Sequence, residues 1–334
     1  MATSIVYLLL KKIVIQNANA IAGSLSYGFP ALNGIMGSVH HLSRKLNDSG
    51  TSLGGVMIVC ENYQLHTFQA HPFADAVFKQ SRKPLTRKGE TAPIIEEGKM
   101  HLTLSLIVEV QTNRENWQRL RQESEAEQYC KKVQNLLMQQ RIAGGNILNI
   151  GKIELFEATK KQEMIANLLP GFVLVDASKE LVTITKELQS GQIHGLNEFG
   201  EIQEFKDESG EFVLTGVPAQ PQATALDALI EVATLHHLPP DGQNKEWRTY
   251  SVKTGKGWLV PIAVGYQGIA PQVAPGEMQN CRTRDYPSQF VETVYGLGKW
   301  IFPHRLKLDE WNKYFWRYAP VQNDLYLIQQ TDFL

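Results

Sequence analysis

Five cations, Lys79, Arg82, Lys83, Arg87 and Lys88, fall within ten residues with no acid between the first and the last. On extended chain such spacing lets successive cations follow a phosphate backbone, so the segment is a candidate nucleic-acid contact. The alternative is a solvated loop that uses Lys and Arg for solubility. A second candidate is Arg141-Ile142-Ala143-Gly144-Gly145-Asn146. Paired glycines let backbone N–H groups turn toward an anion, and Arg141 could add a bidentate phosphate contact. Termination of a helix by a left-handed glycine would explain the same residues. Gly296-Leu297-Gly298-Lys299 admits the same two readings. It is not G-x-G-x-x-G, and no G-x-x-x-x-G-K-[ST] occurs, so a nucleotide-binding fold has no support.

Nine histidines include the doublets His40-His41 and His236-His237. Adjacent helix residues point about 100° apart, so neither doublet chelates a metal from one face as histidines at i, i+4 do. A nuclease using His40 or His41 as general acid/base beside a Tyr and a Lys is conceivable, but no spacing defines such a triad. Cys60, Cys130 and Cys281 are odd in number and widely spaced, which gives neither a disulfide framework nor a zinc site and fits a reducing compartment. G-x-S-x-G is absent. No catalytic machinery and no cofactor are expected. An RNP1 string is also missing, so Tyr27, Trp258 and Trp300 are expected in the core or an interface and not as base-stacking platforms.

Elements must position these residues. Ile5–Ile15 lacks Gly and Pro and is rich in Ile, Val and Leu, as a buried strand should be. Ile35, Val39, Leu42 and Leu46 fall on one face of a helix, and 56–60 resumes strand character. Leu102, Leu104, Leu106, Val108 and Val110 alternate along the clearest strand. The segment between those two strands holds Pro72, Pro84, Gly89, Pro93 and Gly98 and is expected to project from the fold. A helix over 115–140 closed by Gly144-Gly145, then a strand from about 146, completes β-α-β-β-α-β. Further on, 172–175, 258–264 and 290–295 read as strands, and 179–189 and 225–237 as helices.

The chain of 334 residues has 43% hydrophobic and 20% charged residues, enough for a real core and a little poor in charge. Its net charge of −1 creates no global pull toward polyanions, but residues 1–150 carry +5 and the remainder −6. A polyanion should therefore meet the first half. No apolar run reaches the ~20 residues of a membrane helix, and Lys11 and Lys12 follow the first apolar run instead of preceding it, so a cytoplasmic protein without a signal is expected.

Several strings then become specific in combination. Ile15-Gln16-Asn17-Ala18-Asn19-Ala20-Ile21, Gly28-Phe29-Pro30, Pro84-Leu85-Thr86-Arg87 with Glu96-Glu97-Gly98, 141–148, 169–175, 257–261 and 296–305 run in order over nearly the whole chain. Together they resemble the second Csy subunit of type I-F CRISPR surveillance complexes, a Cas-five-type member of the RAMP superfamily. The resemblance implies an α+β fold: a ferredoxin-like RAMP head over 1–192 with a β-hairpin thumb at about 70–100. From the residues themselves, Glu198, Glu201, Glu204, Asp207, Glu208 and Glu211 mark a variable acidic insertion and helix over 193–245, and a β-rich C-terminal region is expected over 246–334. The resemblance implies a non-catalytic subunit that holds the five-prime handle of CRISPR RNA and pairs with the large subunit. Contact with the Cas-seven-type backbone and, through the assembled complex, with target DNA would follow. Relatives in other subtypes cut precursor RNA, which keeps a metal-independent endoribonuclease as the alternative. On this reading Asn17 and Asn19 would read unstacked bases, Lys79, Arg82, Lys83, Arg87 and Lys88 would line the thumb, and Arg141, Gly144 and Gly145 would cradle phosphates. His304 and Arg305 would join them; Arg282 and Arg284 are added on charge alone, with ion-paired structural roles as the alternative.

Overall fold

The computed structural model describes residues 4–47, 50–82, 84–191, 195–196, 202–203, 219–238, 247–281 and 283–330. Along the chain, β1 (Ser4–Asn19), α1 (Leu32–Leu46) and β2 (Thr51–Leu65) are followed by four short strands. These are β3 (Thr67–Phe68), β4 (Val77–Phe78), β5 (Gln80–Arg82) and β6 (Ile94–Glu96). Then come β7 (Lys99–Thr112), α2 (Arg114–Leu120), α3 (Glu123–Met138), β8 (Arg141–Ile142), β9 (Gly145–Phe156), α4 (Lys161–Asn167) and β10 (Phe172–Asp176). The rest comprises α5 (Ser178–Ser190), β11 (Gly195–Leu196), β12 (Ile202–Gln203), α6 (Ala225–Ala233), β13 (His236–Leu238), β14 (Arg248–Tyr250), β15 (Trp258–Gly268), β16 (Val291–Ile301), β17 (Arg317–Tyr318) and β18 (Leu325–Gln329). Ten strands are hydrogen-bonded in the order β17-β18-β15-β16-β10-β2-β7-β1-β9-β8.

The chain forms two compact units, Met1–Val173 with Ala263–Val294 and Phe302–Leu334, and Leu174–Ile262 with Tyr295–Ile301. In the first, β7 pairs antiparallel with β1 and β2, and β1 pairs antiparallel with β9. Helix α1 packs on β2 and on α3, and α3 packs on β9. The β-α-β-β-α-β order expected from the sequence is thus present, with the long strands side by side as β9-β1-β7-β2. Strand register puts Leu104, Leu106 and Val108 on one face with Cys60, Ile58 and Val56. That row faces the helices, and its burial supplies the main apolar driving force of this unit.

The residues between these leucines and valines, Thr103, Ser105, Ile107 and Glu109, are mostly polar and point to the other face. It is buried too over half its length: Ser105, Ile107 and Glu109 are 5% exposed or less. Tyr7, opposite Glu109 in the register, packs edge-on against Trp311 at 5.8 Å and tilted against Phe315 at 5.5 Å. Residues near the C-terminal end therefore cover this face. The large aromatic core is Trp311, Trp316, Phe315 and Phe156, all fully buried. Tyr27 and Trp258, expected in the core or an interface, are not in the core: they are 59% and 52% exposed.

Two helices differ from expectation at their ends. The stretch 115–140 is two helices, because Gln122 is extended (φ −76, ψ 130) between them and lets Leu120 and the Tyr129-Val133-Leu137 stripe each find a buried seat. α3 stops at Met138, six residues before Gly144, so the paired glycines do not cap it. α6 stops at Ala233 because Thr234 is extended, and His236 and His237 instead pair with Tyr250 and Thr249 in a two-stranded ladder. α6 starts at a reciprocal cap between Thr224 and Asp227, whose carboxyl is held below its usual range by hydrogen bonds from Thr224. In this second unit Ile184, Leu188, Ala228, Val232, Leu259 and Leu297 form the core. Of the acidic insertion expected over 193–245, only 195–196, 202–203 and 219–238 lie within the described residues.

Candidate nucleic-acid interface

Between β2 and β7 the chain leaves the main sheet as two successive ladders. β3 pairs with β4 through Thr67–Phe78, and β5 pairs with β6 from Gln80–Glu96 to Arg82–Ile94. The expected single hairpin over about 70–100 is instead this pair of ladders, starting at Thr67, because the Gly and Pro residues break strand continuity. Lys79 joins β4 to β5: its N–H donates to the His66 carbonyl at 3.2 Å, and its carbonyl accepts from Glu97 N–H at 3.3 Å. Arg87 and Lys88 sit in a tight turn that Thr86 organises. The Thr86 N–H donates to the Glu90 carbonyl at 2.8 Å, and its hydroxyl accepts from the N–H of Glu90 at 3.2 Å and of Lys88 at 3.3 Å. Lys79, Arg82, Arg87 and Lys88 are all exposed, and among the described residues none of the four is in an ion pair. Lys83 lies outside the described residues. The protrusion also carries exposed apolar side chains, Phe68, Phe73 and Leu85.

A second cluster forms where β1 ends. Asn17 has φ 58 and lies at a register shift of β1, a bulge that turns its side chain out. Its N–H donates to His101 Nδ1 at 3.3 Å. Asn19 N–H donates to the Ala143 carbonyl at 2.9 Å, and its Oδ1 accepts from Lys99 Nζ at 2.7 Å. Ala143 (φ 49) and Gly144 (φ 79) are the two central residues of the β8–β9 hairpin turn, both left-handed as a type I′ turn requires. Ala143 N–H donates to the Gly34 carbonyl at 3.1 Å. A Cβ on Gly145 would lie 2.8 Å from Ala18 N and Gln16 O, and one on Gly34 would lie 2.9 Å from Ala143 Cα. These glycines let β1, α1 and the hairpin approach backbone to backbone. Arg141 is exposed and pairs with Asn146, which in turn pairs with Gln16.

The remaining expected residues lie on other segments. Arg284 is exposed in the loop after β15, and Arg282 lies outside the described residues. His304 and Arg305 are exposed in a 3-10 turn after β16, where the His304 ring stacks on Phe302 at 5.4 Å. Among the described residues no hydrogen bond, ion pair or ring contact links Arg284, His304 or Arg305 to the β1 cluster or the protrusion. His40 and His41 are exposed on α1, and His40 meets Tyr318 edge-on at 6.3 Å. No group of three or more His, Cys, Asp or Glu suited to a metal occurs among the described residues. Burial pushes the Cys60 thiol up to about 12 and the Cys130 thiol to about 11, so both are protonated at neutral pH.

Sequence reasoning missed His66, Lys99 and His101. His66 and His101 meet edge-on with ring centroids 4.2 Å apart. Burial, then His101, then Lys79 hold the His66 imidazole below its usual range. The signal was available: Gln64-x-His66 and Lys99-x-His101 are i, i+2 pairs, which share a face on adjacent strands. It becomes legible only with the extent of β2, which runs to Leu65 and so past the strand character of 56–60.

A family model described as CRISPR-associated protein (Cas_Csy2) matches residues 8–328. CRISPR-associated protein Csy2 of Pseudomonas aeruginosa (strain UCBPP-PA14) is 32% identical over 320 residues, spanning 90% of this chain and 88% of that protein. No described helix is long and apolar enough to cross a membrane.

Proposed function

Because the chain belongs to the CRISPR-associated Csy2 family of type I-F systems, we propose that it is the non-catalytic subunit that grips the five-prime handle of CRISPR RNA. The observation that carries this reading is the set of four exposed cations without ion-pair partners on the protrusion between β2 and β7. Cations left unneutralised within the chain are available to phosphates, and binding there releases counterions. Lys79, Arg82, Arg87 and Lys88 position the RNA backbone, while Asn17, Asn19 and Arg141 stand where unstacked bases and the adjoining phosphates pass. The β9-β1-β7-β2 order with α1 and α3 packed together supports a ferredoxin-like RAMP head as the platform. In the assembled complex the subunit pairs with the large subunit and meets the Cas-seven-type backbone, and base pairing by the RNA reads the target DNA.

Titration of handle RNA against the full chain at several salt concentrations tests this. Replacing Arg87 and Lys88 with Ala flattens the log K against log[salt] plot by roughly 1.4, at about 0.7 per single-strand phosphate, with little change in sequence preference. An unchanged slope overturns the assignment of the protrusion. The same samples run on a denaturing gel test the endoribonuclease alternative: a discrete product that vanishes in His40→Ala and His41→Ala variants would replace the non-catalytic reading.

A further inference from the structure

The half of the sheet that the C-terminal residues leave uncovered contains a cavity of about 250 Å³ beside the protrusion. It is lined by Gln16, Asn62, Gln64, His101, Thr103 and Leu148, among others. The strand register explains the grouping. Gln64 lies opposite His101 and Asn62 opposite Thr103, on the row that continues through Ser105, Ile107 and Glu109. Along that row Ser105, Ile107 and Glu109 are buried, whereas Thr103 and His101 are half-buried and Gln64 is exposed. The face opens toward the protrusion.

From this geometry we infer that the cavity holds one unstacked base of the handle RNA, with the amides of Gln16 and Gln64 reading its edge beside the His101 ring. The inference rests on the RNA-binding function proposed above. Its support is chemical. The lining contains no Lys, Arg, Asp or Glu, so it is unsuited to a phosphate or a metal ion. It is rich in amides, which present both donors and acceptors to a base edge, and imidazole rings stack on bases. At about 250 Å³ it lies below the roughly 300–1,000 Å³ of drug-sized ligand sites, a scale that suits one planar base. The exposed Leu148 supplies an apolar surface. The cations sit next door: His66, which meets the His101 ring, accepts the Lys79 N–H through its carbonyl, so phosphate grip and base pocket share a backbone link.

Handle RNAs carrying one abasic site at each position in turn, titrated against the full chain, test this. In the unaltered protein one abasic position weakens binding roughly 5- to 150-fold, the range of a single well-read base. In Gln64→Ala and Gln16→Ala the intact RNA weakens by a similar factor, the abasic site at that position then costs nothing further, and the salt slope stays put. Abasic penalties that persist unchanged in both variants overturn the inference. So do variants that bind RNA normally but no longer co-purify with the large subunit, which would make the cavity a protein contact. An unaltered chain that binds no handle RNA at all is a different failure, since it removes the proposed function before any variant is compared. Both glutamines lie at the open, partly exposed end, so their truncation leaves the fold intact, as a thermal melt verifies.

Discussion

His66 shows how a residue of no note in the sequence becomes informative through its neighbours. Burial, then the His101 imidazole and the Lys79 ammonium, disfavour its charged form. A depressed folded-state value means that the unfolded chain binds the proton more readily. The contribution to stability is thus complete above the ordinary histidine value near 6.5 and is lost as pH falls below it toward the folded value. Melting temperatures measured from pH 7.5 to 5 should fall, and His66→Gln should fall less steeply over the same interval. Equal slopes would mean that the pair does not titrate as its geometry requires. Lys99 works by the opposite logic: its ammonium donates to Asn19 Oδ1 at 2.7 Å, which fixes the amide's orientation and leaves the Nδ2 group to donate elsewhere.

At the scale of elements, the β8–β9 hairpin turn ties β1 to α1. Ala143 alone takes part in two of its backbone bonds, to Gly34 and from Asn19. Gly145→Ala places a Cβ 2.8 Å from two backbone atoms that cannot swing away, Ala18 N and Gln16 O. Overpacking of this kind costs about 1–3 kcal/mol, which a urea melt will show as a lower midpoint with an unchanged slope. Gly144→Ala carries strain of about 1 kcal/mol from its left-handed backbone. Because the hairpin holds Asn19, Gly145→Ala should also weaken handle RNA binding, while Gly89→Ala, with open space around its Cβ but φ 78, should cost only the left-handed backbone strain of about 1 kcal/mol.

At the scale of the whole molecule, contacts far apart in sequence decide which surface is left for a ligand. Arg317 forks onto the buried Glu109, Nε to Oε2 at 3.2 Å and Nη2 to Oε1, while Gly55 N–H donates to the same carboxylate at 2.9 Å. Trp316 exchanges backbone hydrogen bonds with Val56 at 2.9 Å in both directions. Together with Trp311 and Phe315 these contacts seal one end of the second sheet face and leave the His101 end open. Arg317→Ala strands the Glu109 charge, at a cost of about 3–5 kcal/mol, and chemical denaturation will register it as a large loss of stability.

The alternating leucines of 102–110, the 35-39-42-46 stripe and the projecting Gly/Pro-rich segment were legible in the sequence because each is a local pattern whose period reports its own burial. The basic run 79–88 was legible for the same reason, and the ordered strings from Gln16 to Arg305 pointed to the family. Only tertiary structure decided the rest. That Gly144-Gly145 serve a hairpin and do not cap a helix depends on Gly34, Ala18 and Gln16 lying against them. That Ile107 and Glu109 are buried depends on Trp311, Phe315 and Arg317, some 200 residues later in the chain. The amide and histidine cluster at the open end exists only because antiparallel register sets Gln64 opposite His101. Local periodicity encodes which face of an element is apolar; what covers the opposite face, and where that cover ends, is set by packing between distant segments, and it is that boundary which leaves the candidate site open.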